Sequence, residues 1–223
     1  MSTENLGAGE MEALATARLG DLRKKVNAES WSDNMELLMK QWGEKAAGLR
    51  YMHGASSGYW RNVSNNLTLY SIVATTVASA ASLVAGSIDS ADIKDAVLFS
   101  AGGIGLLTSF IQSLKKFYNA EEKAAEHGAI AKQWGTYYRA ITLQLGMSRE
   151  DRRPSDELSE WALKEYERLQ QEALPLRGAD VASYKKKFSG TQQALPDNCR
   201  DDFSIKVYGR QDSVNTISVK LDD

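Results

Sequence analysis

Cysteine is almost missing from this chain: Cys199 is the only one in 223 residues. A single thiol excludes an intramolecular disulfide and any multi-cysteine metal site, and it fits a reducing compartment. Histidine is nearly as scarce. His53 and His127 are the only two, and neither stands in a metal spacing such as His-Glu-x-x-His. An excess of one charge is lacking too, since 27 Lys and Arg face 29 Asp and Glu for a formal net charge of -2. With no global field and no basic face standing out, nucleic acid is not an expected partner. No Gly-rich phosphate loop, nucleophile elbow or Cys/His pair is present, so nothing argues for an enzyme, a catalytic residue, a metal or a cofactor. The "AGGIGLL" run (residues 101–107) has no strand before it, and its glycines read as helix packing. The opening residues lack the basic-then-apolar order of a signal peptide, so any membrane segment is expected from within the chain.

The most informative absence is local. No charged side chain occurs from Asn62 to Ile88, or from Ala96 to Leu114, and the charged turn "DSADIKD" (89–95) separates the two gaps. A helix crosses the hydrocarbon core with about 20 apolar residues at roughly 1.5 Å each. Both gaps meet that length, the second narrowly, and together they predict a transmembrane helical hairpin. Leu67, Leu69, Ile72, Val73, Val77, Leu83 and Val84 supply only about -3 kcal/mol of insertion energy for the first span. Val97, Leu98, Phe99, Ile104, Leu106, Leu107, Phe110, Ile111 and Leu114 supply roughly -4 kcal/mol for the second. Such modest values predict that the spans insert together, with polar side chains partnered by another helix.

Those polar residues form stripes. Thr68, Ser71, Thr75, Ser79, Ser82 and Gly86 recur at spacings of three and four, with Ala74, Ala78, Ala81 and Ala85 beside them. Ala101, Gly105, Thr108 and Gln112 make a similar stripe on the second span. One reading is close helix packing through small residues. Another is that, in a homo-oligomer, the hydroxyl stripe lines a narrow aqueous path. A third is a soluble bundle that buries the hairpin centrally.

Basic residues set an orientation. Arg50 and Arg61 precede the first span and Lys115, Lys116 and Lys123 follow the second, while the connecting turn is mainly acidic. By the positive-inside rule both termini are cytoplasmic, with Tyr59, Trp60, Phe117 and Tyr118 as an aromatic belt at that interface.

The flanks read as an all-α cytoplasmic bundle. The expected divisions are N-terminal cytoplasmic helices over 1–58, the hairpin over 59–116, a cytoplasmic helical region over 117–189 and a tail over 190–223. Residues 9–27 form an amphipathic pattern expected to pack in the bundle, and a second helix follows Ser30 as N-cap. With no proline from Lys115 to Gly146, the second span is expected to continue as one long helix. Its stripe of Tyr118, His127, Ile130, Trp134, Tyr137, Tyr138, Ile141 and Leu145 needs a cover. A helix capped by Ser155, carrying Leu158, Trp161, Ala162, Tyr166 and Leu169 and ended by Pro175, supplies it. Asp180 to Phe188 reads as a last short helix with Lys185, Lys186 and Lys187 on a solvated face. "TQQALPDNCRDD" (191–202) reads as a linker, and the alternation in "FSIKVYG" and "TISVKLDD" leaves a β-hairpin or a disordered tail open. His53 and His127 read first as packing residues. If their helices pair antiparallel, however, they fall at similar heights and form a proton-sensitive contact.

The segments "YMHGASSGYWRNVSNNLTLYSIVATTVASAASLVAG" (51–86) and "AEEKAAEHGAIAKQWGTYYRAI" (120–141) resemble the SLATT family. These are two-transmembrane effector domains associated with nucleotide-synthesising and nucleotide-sensing proteins of prokaryotic conflict systems. The resemblance spans about residues 45–190, and His127, Tyr137 and Ile141 are similar to the family's aromatic-and-histidine juxtamembrane helix. It implies an oligomer of hairpins in a lipid bilayer that forms a pore or perturbs the membrane, under control of a regulatory protein partner. The chain departs from many bacterial members in having no recognisable sensor domain. The competing expectation is a non-conducting scaffold of a cellular or viral membrane.

Overall fold

The computed structural model describes residues 8–200, and the alternating segments 203–209 and 216–223 lie outside them. The described residues are helical throughout, without strands: α1 (Ala8–Ser30), α2 (Asp33–Ala85), α3 (Ala91–Tyr118), α4 (Ala120–Gly146), α5 (Ser155–Glu172), α6 (Gly178–Phe188) and a 3-10 turn (Asp197–Cys199).

The spine is α2, whose 53 residues reach about 80 Å at 1.5 Å per residue. It runs through the expected 58/59 boundary without interruption. Along its whole length it pairs antiparallel with α3 and then α4. Glu36 meets Arg149, Gly43 meets Ile141, His53 meets His127 and Ser71 meets Gln112, so residue numbers climb on one side as they fall on the other.

The expectation of one unbroken helix from the second span to Gly146 is corrected. Asn119 adopts a left-handed conformation (φ 48°) between α3 and α4, a backbone state that asparagine tolerates better than most residues. Its N–H donates to the Lys115 carbonyl and its own carbonyl accepts from Lys123 N–H, so the ladder bends there without losing these bonds. The N-caps shift as well. Ser32, not Ser30, starts α2, its hydroxyl accepting from Met35 N–H. Ser30 ends α1, and its hydroxyl accepts from Ser155 N–H while the Ser155 hydroxyl donates to the Ser30 carbonyl. Ser155 is thus the first residue of α5 and a tie to α1 rather than a cap.

Trp31, Met39, Leu49 and Met52 form the core with Ile130, Trp134, Tyr137 and Ile141 of α4, Leu158, Ala162 and Leu169 of α5, and Tyr184 of α6. α5 covers only part of the expected stripe, with Trp161 stacked on Tyr137, whose hydroxyl donates to the Ala162 carbonyl; His127 and Ile141 of the same stripe face α2, and Tyr118 is exposed. The linker reading is corrected up to residue 200. Residues 194–199 strap across α2, with Ala194 N–H donating to Glu44, Lys45 pairing with Asp197 at 2.7 Å, and Cys199 buried beside Met52. Gly48 permits this approach, because a Cβ there would lie 2.6 Å from both Tyr184 Oη and Pro196 Cγ. The packing expected of α1 is also corrected: Met11, Leu14, Leu19, Leu22 and Val26 are exposed.

Candidate functional site: a small-residue hairpin above a buried histidine pair

On α2 the least exposed positions of the hairpin are Ser64, Leu67, Thr68, Ser71, Ala74, Ala78, Ala81 and Ala85; on α3 they are Val97, Ala101, Ile104, Gly105, Thr108 and Ile111. Recurring mostly at spacings of three and four, these positions make one seam in which small side chains predominate, with Leu67, Val97, Ile104 and Ile111 set among them, and small residues let backbones come close. The opposite faces carry Leu69, Val73, Val77 and Val84 on α2 and Phe99, Leu106, Phe110 and Phe117 on α3, with Phe99 89 % and Leu106 76 % exposed. None of these residues joins the hydrophobic core. The hairpin is thus not buried within this chain's own core, as the soluble-bundle reading expected it to be. Both helices are long and apolar enough to cross a membrane.

The expected hydroxyl stripe divides. Thr68 and Ser71 lie along the seam with Gly105 and Thr108, and Gln112 Nε2 reaches across to donate to Ser71 Oγ at 3.3 Å. Thr75, Ser79 and Ser82 are exposed on the flank. Ser71 finds the second-helix partner expected of these hydroxyls, in Gln112, but most of the others bond within their own helix. Thr68, Thr75, Thr76, Ser82, Ser100, Thr108, Ser109 and Ser113 each donate to the carbonyl four residues earlier in their own helix. Such back-bonding satisfies the O–H donor within the helix itself.

At the open end of the hairpin Arg61 and Lys116 are exposed and Lys115 is half-buried. Two of the four aromatics expected to form a belt lie against cations: Lys123 Nζ is 4.6 Å from the Trp60 ring centre, and the Arg177 guanidinium 3.2 Å from that of Tyr59. Arg177 was not singled out by sequence, because it reaches Tyr59 only through the α5–α6 connection.

Beyond this belt the two histidines meet. His53 Nδ1 lies 3.0 Å from His127 Nδ1, and the residues are 1 % and 2 % exposed. One ring must carry its proton on Nδ1 and the other must accept there. The Ser57 hydroxyl donates to the Ala124 carbonyl at 2.7 Å, and Gly128 leaves room for it, since a Cβ would sit 3.1 Å from Ser57 Oγ. The Ser56 hydroxyl donates to Asp180 Oδ2 at 2.5 Å, and Arg177 lies 3.5 Å from the same oxygen. Burial, then the neighbouring His127, pushes His53 down to about 4 from its ordinary 6.5. Burial also lowers His127, opposed by Asp180 and Glu126 and assisted by Arg177 and Lys123.

A further cluster at the far end of the bundle escaped the sequence reading. The Glu36 carboxylate accepts from Arg149 Nε at 2.8 Å and from Arg152, and Arg152 also donates to the Met147 and Leu145 carbonyls. These hydrogen bonds hold Glu36 down to about 2. Acids in the first turn of α2 and arginines three apart in the 147–154 connection were the available signal, but their meeting depends on the antiparallel register. Among the described residues no three His, Cys, Asp or Glu side chains gather to hold a metal ion. Comparison with family models, curated proteins and solved structures returns no match.

Proposed function

We propose that α2 and α3 cross a lipid bilayer as a hairpin over residues 59–116, with the helical bundle and both termini on the cytoplasmic side, and that copies associate into a pore-like assembly that permeabilises the membrane. The observation that carries the reading is the sorting of side chains around the hairpin. Phe99, Phe110, Phe117 and leucines such as Leu69 and Leu106 point away from the seam, where small side chains predominate, while the uncharged line Thr75, Ser79 and Ser82 is left exposed beside it. Hydrocarbon accommodates the first surface, and helix contact or water the second. Arg61, Lys115, Lys116 and Lys123 at the open end, against the acidic turn, support the orientation. The resemblance to SLATT effector domains points the same way and adds a regulatory partner.

A non-conducting scaffold is the second reading, favoured by the back-bonded hydroxyls, which no longer require water. Ion flux through the purified chain in liposomes separates the two. Flux that is abolished by Thr75→Trp and Ser79→Trp in preparations that still assemble supports the pore; no flux in any oligomeric preparation selects the scaffold. Recovery of the chain in a detergent-free supernatant as a monomer would sink both.

A further inference from the structure

We propose that the His53–His127 contact is a proton-operated latch that joins α2 to α4 just outside the hairpin, closed while the pair shares one Nδ1 proton and released when both rings become donors. It bears on the regulation of the assembly proposed above but needs no conduction to operate.

The geometry leaves two closed states and one open one. In the neutral pair one Nδ1–H points at the other ring's bare Nδ1. A first proton goes to the free Nε2 of the donor ring, and the contact persists as a charge-assisted bond. A second proton takes the remaining Nδ1 lone pair, leaving two N–H groups and two positive charges face to face across 3.0 Å. Both rings are buried, so water cannot screen them.

The surroundings offset that charge only in part. From α4, Glu126 and Lys123 act on His127; from α6 and the residue before it, Asp180 and Arg177 do. Two acids are thus met by two bases, and Asp180 already accepts from Ser56 and lies beside Arg177. On α2 itself Ser56 donates to the Asp180 carboxylate and Ser57 to the Ala124 carbonyl, and neither hydroxyl brings a charge to the pair. Both histidines sit about two helical turns from where the helices enter the hairpin, at Tyr59 on one side and at the left-handed Asn119 on the other. Separation at the pair would therefore hinge at Asn119 and pass directly to α3.

Burial lowers both histidines, so the closed joint is most stable above their ordinary value of 6.5 and loses that stability as pH falls toward about 4. The test uses the full chain in lipid nanodiscs. Nitrogen NMR of labelled histidine should show coupling across the Nδ1–H···Nδ1 bond at pH 7.5 and two uncoupled imidazolium rings at pH 3, below the His53 value of about 4. Coupling absent at pH 7.5, or fully retained at pH 3, overturns the proposal. In parallel, the wild-type Tm should drop by roughly 5 °C or more between pH 7.5 and 4.5, and by less than half as much in the His53→Gln/His127→Gln double variant. An equal drop in both overturns it. If the double variant does not fold at pH 7.5, the NMR measurement decides alone. Because neither readout is ion flux, failure of the pore reading leaves the result intact.

Discussion

Helix α2 is used twice, in opposite senses. In the bundle, its side facing α4 presents Met39, Leu49 and Met52 to Trp134, Tyr137 and Ile141, and the outside is largely polar. In the hairpin, the side facing α3 presents Ser64, Ser71, Ala74, Ala78 and Ala81 to Ala101, Gly105 and Thr108, and the large apolar groups lie outside. The antiparallel register is common to both halves; only the placing of bulk is reversed. Water drives large apolar side chains inward, whereas among acyl chains that drive is gone and helices associate through close packing of small residues. The reversal falls near Ser64 on α2 and Asn119 on its partner, where the backbone bends.

The strongest way to break this contrast is to remove bulk from the water-facing half's core. Trp134→Ala should cost the bundle about 3–5 kcal/mol, seen as loss of cooperative unfolding by near-ultraviolet circular dichroism, while the hairpin still partitions into detergent. Leu106→Ala, an equal kind of truncation on the exposed hairpin face, should leave bundle unfolding unchanged; a comparable loss would show that this face is packed. Next, adding bulk to the seam should be harmful in the hairpin, to a smaller extent than removing bulk from the core is in the bundle. Ala101→Leu should separate α2 from α3 at a cost of about 1–3 kcal/mol, read as a longer label-to-label distance across the hairpin.

Acid resistance sharpens the comparison within the bundle. The Glu36 carboxylate is held low by its arginines, so its contribution is present above its ordinary range and is lost only as pH falls toward about 2. Glu36→Gln leaves the buried Arg152 without its charged partner and should cost about 1–3 kcal/mol at pH 7. That difference from wild type should persist at pH 4.5, where the histidine joint has already weakened, and shrink only near pH 2. The smallest effect is expected from Thr75→Val. Its hydroxyl bonds only its own helix, so stability should move by less than about 0.5 kcal/mol. Any change in liposome flux from this variant would then report on the stripe rather than on folding.

Much of the fold was legible because period and charge are local properties. The two uncharged gaps, the acidic turn and the α4 and α5 stripes each follow from spacing within one segment. The errors share one cause. Ser30 and Ser155 look like N-caps by residue type, but they bond each other across the bundle. Residues 194–199 look like a polar linker, but Gly48 opens a seat for them on α2.

What the sequence by itself determined is the alternation of oily and charged segments, hence which stretches are helices and which two are fit for a bilayer. What only the tertiary structure decided is register: that α2 slides against α3 and α4 so that His53 faces His127 and Glu36 faces the 147–154 connection. Helical period is encoded every few residues along the chain. Register between segments some 75 residues apart depends instead on how bulky and small side chains interlock along the full length of the pair.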